Sequence, residues 1–479
     1  MNTDQQNEPK VVPRGLYLFA LGYIGIPSIL FIVFWFKPLL SLPLVAVLAV
    51  AIGYNLRKAR RDVFARTPWR RVAAFFVAAA LFDLVSGVNG FLYLNADLIV
   101  RSYVLNDLIN FDWPVIYTTP HGDYLLRAPL AYYMPAALVG KMAGFMAASH
   151  VVWLWNSLGL ALVLSILFHD KRPLVVIAAT PIFFLFSGMD ILGVMVSFLQ
   201  VDITSCIEWW SQYFQILSHT TSIFWAPNHA IPAWILSAMF IRRLPATVID
   251  PLIPIAIALL CFWSPVAAPG VVFLFLITYW RRIPEFLHDR NYIVCALVGL
   301  LALAPFALFI TLAVGSVDTT LAQERLDIYS RGVERILFVS FEFLILIAVI
   351  FRYSEDKFRL VCSAVFLTAL TTFEFGPGND FLLRSSNPPI LLLFWCTLSA
   401  VRQMLAVQAV NRLKVTAAVL LIGSVSSVME INRALFYQNN WQLPRMTLYE
   451  MSRGKAHHYT AKLSDVSLAL RIIRLKGKD

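Results

Sequence analysis

Residues 57–71 read RKARRDVFARTPWRR and lie between an apolar run that ends near residue 54 and another that starts at residue 72. Seven of these residues are basic and one is acidic. In a chain that crosses a bilayer, short loops rich in Lys and Arg stay on the cytoplasmic side, so this segment is read as a cytoplasmic loop. Working outward from it, residues 15–36 and 38–54 form an opening hairpin that leaves the N-terminus in the cytoplasm. A helix at about 72–94 then runs outward, and residues 95–148 follow as a long external segment.

Composition points to lipid as the solvent. Of 479 residues 59% are hydrophobic and 14% charged, and a mean hydropathy of +0.71 excludes a water-soluble globule of this length. Apolar runs of about 17–25 residues recur up to residue 430, the length that a bilayer core of about 30 Å asks of each helix. The net charge of +11 sits mainly in short loops, where it sets topology and meets anionic lipid. Nucleic-acid binding is therefore not expected. Cys206, Cys261, Cys295, Cys362 and Cys396 are scattered and imply neither a disulfide framework nor a metal site. The polar start, with no small-residue cleavage pattern after the first apolar run, argues against a cleaved signal peptide.

Further basic anchors at 169–172, Arg242 with Arg243, Arg281 with Arg282, 352–359 and 402–414 are assigned to the cytoplasm. Parity between them makes residues 248–280 cross twice, as two short helices broken near Ser264 and Pro265. It makes residues 128–147 a juxtamembrane or re-entrant segment. The expected fold is an all-α polytopic membrane protein of about thirteen transmembrane helices, with external segments 95–148, 199–227, 315–335 and 375–388. Three regions follow: the hairpin and basic loop 1–71, the membrane domain 72–430, and a tail 431–479. The count places this tail outside although it carries nine Lys or Arg residues. Val466, Leu468, Leu470, Ile472 and Ile473 suit a small amphipathic cap on the head groups. No fixed-period repeat and no linker rich in Pro, Gly or Ser is present.

The external segments hold the chemistry. The first gathers Asp97, Arg101, Asp107, Asp112, His121, Asp123 and Arg127, and the helix entering it carries Asp83. An ionisable residue inside a span is a functional hypothesis; the alternative for Asp83 is a bundle residue paired with Asn89 or with backbone. Asp97 and Arg101 are spaced for an i, i+4 ion pair, which on a solvated loop is worth little. The second segment surrounds Glu208, His219, Asn228 and His229 with Trp209, Trp210 and Trp225. Interfacial aromatic residues alone mark only depth. His229 follows Pro227 at a helix start, where donors favour anions; its other reading is a satisfied structural histidine. The third segment, Gly376-Pro377-Gly378 with Asn379, Asp380 and Arg384, is an irregular turn at membrane depth, tolerated where it lines a cavity or is buried in protein. Arg384 is read as an anion clamp or as a snorkelling arginine. Asp190 is expected to pair with an external arginine or histidine. No zinc-protease motif, nucleotide loop or nucleophile elbow occurs, and no compact carboxylate set demands a metal.

The stretch NADLIVRSYVLNDLINFDWPV (95–115), followed by LLRAPLAYY (125–133), resembles the GT-C class of membrane glycosyltransferases, in which a polytopic helical domain carries a long first external loop opening with a catalytic acid. The blocks FSGMDILG (186–193), IEWWSQYFQ (207–215), TTSIFWAPNHA (220–230) and GPGNDFLLRSSNPPILLL (376–393) are similar to bacterial multi-spanning proteins of that kind, so the likeness covers most of residues 72–405. It implies a bacterial inner-membrane enzyme acting on the periplasmic face. The donor would be a polyprenyl-phosphate sugar and the acceptor an envelope glycan, lipid or protein. Asp97 would be the general base of an inverting transfer, with Arg101 and Asp107 completing the catalytic group. Arg384, His229 and His219 would hold the donor phosphate, and Asp112, Trp113, Glu208, Trp209, Asn379 and Asp380 would contact substrate. No cofactor is expected, although some members of the class use a divalent metal. Two departures stand out: one acid rather than two adjacent acids opens the loop, and two extra helices precede it. A transporter of lipid-linked saccharide and a non-catalytic envelope-assembly protein are the competing readings.

Overall fold

The computed structural model of the protein describes residues 13–58, 67–88, 90–242, 251–311, 332–373, 377–437, 441–454, 459–466 and 472–474. Most of segment 315–335, Asn89, Gly376, Arg243, Leu468, Leu470 and the middle of the basic loop lie outside the described residues.

Among the described residues, eight helices are long and apolar enough to cross a membrane: Arg14–Trp35, Pro38–Lys58, Ala131–Phe168, Pro173–Val196, Arg290–Thr311, Gly332–Tyr353, Asp380–Ala406 and Val410–Phe436. Shorter helices run with them, including Trp69–Val85, Pro227–Ile241, Ile253–Leu260, Ala268–Tyr279 and Lys357–Leu370. Their outward faces are apolar, with Leu39, Leu174, Ile177, Leu300, Val365 and Leu421 all well exposed. Such a surface is stable only against hydrocarbon. The chain is an all-α, multi-pass membrane protein.

Breaks in the helices follow from their length and sequence. The 38 residues of Ala131–Phe168 would measure about 57 Å as a straight helix, nearly twice a bilayer core. Gly144 interrupts them at φ 82° and ψ 176°, a backbone that only glycine adopts readily. Residues 134–143 therefore form a separate arm at the end of the segment expected to be juxtamembrane. The break expected at Ser264 and Pro265 separates Ile253–Leu260 from Ala268–Tyr279.

The basic anchors meet one another. Arg71 donates to the carbonyls of Phe168 and His169 at 2.8 and 2.7 Å. Arg242 pairs with Asp170 at 2.8 Å and covers Trp395 together with Lys171. Asn291 donates to Asn55 at 2.7 Å, and Gln403 to Glu355 at 3.3 Å.

At the other end, strands β1 (Ile116–Thr119), β2 (Gly122–Leu126) and β3 (Thr460–Lys462) form an antiparallel sheet in the order β1-β2-β3. The all-α expectation did not include this sheet. It binds the tail to the first external segment across more than 300 residues of sequence. The tail also reaches the opening hairpin, where Lys37 N donates to Ile472 O at 2.8 Å and Arg474 N to Trp35 O at 3.0 Å. The described part of the tail is thus held by backbone pairing, while Leu468 and Leu470 of the expected amphipathic cap lie outside the described residues.

Candidate functional site

Two helix starts of the same design face one cavity. Asn95 caps helix Ala96–Asn110, its side-chain oxygen accepting from Leu98 N at 2.9 Å while its amide donates to Phe224 O at 3.0 Å. That second bond ties the helix start to helix His219–Trp225. Asp97 falls in the first turn and Arg101 one turn later, with 3.5 Å between them. Asn379, in the left-handed region at φ 55°, likewise caps the helix that opens at Asp380, and Arg384 stands 3.3 Å from Asp380. An acid near a helix N-terminus is favoured by the helix dipole, so each acid–arginine pair is placed by its cap.

These pairs line a cavity of about 640 Å³ together with His229, Asn228, Trp209, Trp225, Tyr133 and Tyr459, a size suited to a small organic ligand. Its floor is sunk in the bundle. Helices Ile253–Leu260 and Ala268–Tyr279 have 8 and 12 residues, or about 12 and 18 Å. The junction stands about 18 Å along Ala268–Tyr279 from the basic pair Arg281 and Arg282, less than the roughly 30 Å of a bilayer core. Pro265 and Val266 of that junction line the cavity, and Ser264 bonds His229 Nδ1 at 2.7 Å. Gly270 packs against the end of the helix that carries Arg384, where an added Cβ would lie 2.1 Å from Ser385 O. Gly270→Ala is therefore expected to cost about 1–3 kcal/mol by overpacking, seen as a lower melting temperature in detergent; an unchanged melting temperature would contradict this packing.

Both arginines are buried, Arg101 at 7% and Arg384 at 7% exposure. Among the described residues Nη1 of Arg101, and Nε and Nη1 of Arg384, have no hydrogen-bond partner. The acids are more open, with side chains exposed by 44% for Asp97 and 33% for Asp380. His229 has both guanidinium groups as electrostatic neighbours. A buried guanidinium with unused donors is costly unless an anion completes it, and its planar fork matches phosphate or carboxylate oxygens. Cys206 also borders the cavity, but burial pushes its thiol up to about 11, which removes it as a thiolate nucleophile.

The structure thus brings together Asp97, Arg101, His229, Asp380, Arg384 and Trp209, and holds other expected residues elsewhere. His219 is buried among Phe183, Phe186, Trp234 and Phe394, with Nδ1 2.8 Å from Phe183 O, so it does not line the phosphate site. Glu208 turns away from the cavity and accepts from Ser218 N and Thr221 Oγ1 at 2.9 and 2.8 Å. Asn379 is a buried helix cap. Asp112 is exposed beyond the cavity lining. Trp113 donates to Leu108 O at 2.7 Å and packs on Phe34. Asp190 accepts from Ser426 Oγ at 2.6 Å instead of meeting an external arginine or histidine. Asp83 is buried near Ser86 and Asn156. His121 and Asp123 belong to the β1–β2 hairpin and do not line the cavity.

Asp107 is the main correction among the catalytic candidates. It is fully buried outside the cavity, and its Oδ2 accepts from Tyr117 Oη at 2.7 Å and Leu448 N at 2.8 Å, so it fastens the tail. Burial raises its pKa to about 6, against the opposing effect of the Leu448 and Tyr117 bonds. Because this pKa lies above the unfolded value, the folded state holds the proton more tightly. The associated stability is complete below about pH 4 and is lost as pH rises through 6, on the order of 3 kcal/mol. Asp107→Asn should flatten that part of a melting-temperature profile between pH 4 and 7; a profile unchanged by the substitution would contradict it.

No family model, curated protein or solved structure matches the chain. Among the described residues no group of three or more His, Cys, Asp or Glu is placed to hold a metal ion.

Proposed function

We propose that the cavity binds the phosphate of a polyprenyl-phosphate sugar and that the chain transfers the sugar to an envelope glycan, lipid or protein acceptor, as a GT-C-type glycosyltransferase. The observation that carries this reading is the set of unused guanidinium donors of Arg101 and Arg384 beside the open carboxylate of Asp97. The acceptor oxygen attacks the anomeric carbon as its proton passes to Asp97. The carbon–oxygen bond to phosphate breaks, and that bond's electron pair leaves with the phosphate, whose charge the two arginines stabilise. Attack opposite the departing phosphate inverts the anomeric centre. A cavity lined by residues of the helix bundle suits a donor that arrives laterally from lipid.

In this reading the eight long helices with Trp69–Val85, Pro227–Ile241 and Lys357–Leu370 make eleven crossings. Ile253–Leu260 and Ala268–Tyr279, at about 12 and 18 Å too short to cross alone, enter and return from the cytoplasmic side as a broken pair, in place of the other two of the thirteen expected. The basic end then faces the cytoplasm with the N-terminus, and the cavity and tail face the periplasm across a bacterial inner membrane. One observation favours a transporter of lipid-linked saccharide instead: the short broken pair, a feature of transporter sites. Proteoliposomes loaded with polyprenyl-phosphate sugars separate the two. Sugar transfer to acceptor without net translocation is the expected outcome, and translocation without transfer would replace the enzyme by the transporter.

A further inference from the structure

The tail delivers one more polar group into the cavity. Tyr459 immediately precedes β3, and its carbonyl accepts from Arg127 N at 2.6 Å, which fixes its backbone against the end of β2. Below it Tyr449 packs on Tyr117 and Tyr124, with ring centroids 5.9 and 4.8 Å apart, and Leu448 is held by Asp107. The tail is therefore anchored on both sides of the position from which Tyr459 enters. Its side chain lines the cavity and has Arg101, Asp97, Asp380 and Arg384 as its electrostatic neighbours. It stands among all four charges of the two helix starts. Burial raises its pKa, so the phenol stays protonated and retains a donor.

We infer that Tyr459 is a ligand-binding residue, whose hydroxyl donates to a phosphate group held by Arg101 and Arg384, and that the tail is part of the site. This rests on the reading of the cavity as a phosphate site, and the shared chemistry is a phosphate monoester or diester oxygen. A phosphate has more acceptor lone pairs than the unused donors of the two arginines fill, which leaves room for a third donor. A phenol recognises a phosphate oxygen without adding charge.

The test titrates the full-length protein in nanodiscs with polyprenyl monophosphate, and separately with inorganic phosphate, for wild type, Tyr459→Phe and Arg384→Ala. Tyr459→Phe removes one hydroxyl and keeps the ring. It should leave the ligand-free melting temperature unchanged and weaken lipid-phosphate binding about tenfold, the scale of one hydrogen bond to a charged group. Wild-type affinity in Tyr459→Phe, with binding lost in Arg384→Ala, would overturn the role of Tyr459 and leave the phosphate site standing. Binding of inorganic phosphate alone, with the same dependence on Tyr459, would support Tyr459 and remove the lipid-linked donor. Binding of neither probe by wild type would overturn both.

Discussion

Asp97→Asn is expected to lower sugar transfer by about 10²–10⁴-fold, the usual contribution of a positioned general base. Expression and melting temperature should stay near wild type, because the side chain is 44% exposed and its bond to Arg101 is long at 3.5 Å. Asparagine keeps the size and can still accept from Arg101, so the loss would report proton acceptance rather than a displaced arginine. Donor-phosphate binding should survive. Single-turnover transfer from a polyprenyl-phosphate sugar in membranes, set beside lipid-phosphate binding, makes the comparison. Full transfer by Asp97→Asn would move the base to Asp380, the other acid lining the cavity.

Arg384→Ala carries the second large effect, on binding. Its guanidinium is buried, pairs with Asp380 at 3.3 Å, and has two nitrogens without partners among the described residues. Removing one member of a buried charge pair costs about 2–5 kcal/mol, so affinity for the lipid phosphate should fall by about 30-fold or more. Arg384→Lys should recover only part of this, since an ammonium keeps the charge and loses the planar fork. Acceptor binding should change little. An equal loss for donor and acceptor would argue that Arg384 holds the cavity's shape instead of the phosphate.

Much of this site was legible in the sequence because its signals were local. Asn95, Asp97 and Arg101, and Asn379, Asp380 and Arg384, announce helix starts with an acid and a base one turn apart, and the Ser264-Pro265 break announces itself by composition. Charge density misled at Asp107. On the helix face it lies within about 20° of cavity-lining Val100, but it stands about 10 Å further along the axis, where Tyr117 and Leu448 cover it. His219 and Glu208 share a segment with cavity-lining Trp209 and Thr221, and loop spacing does not say which side chain turns inward. Tyr459 was out of reach for a different reason. It enters the site through pairing between β2 and β3, and backbone pairing over such a separation leaves no pattern in either partner alone.

Two buried arginines that hold a lipid-linked phosphate should be visible directly. Cryo-electron microscopy of the full-length protein in nanodiscs with a polyprenyl-phosphate sugar provides the test. Density for the phosphate is expected within hydrogen-bond distance of both Arg101 and Arg384, with the sugar beside Asp97 and the lipid leading out into the bilayer. Phosphate density bound elsewhere on the protein, with this cavity holding only water, would contradict this placement.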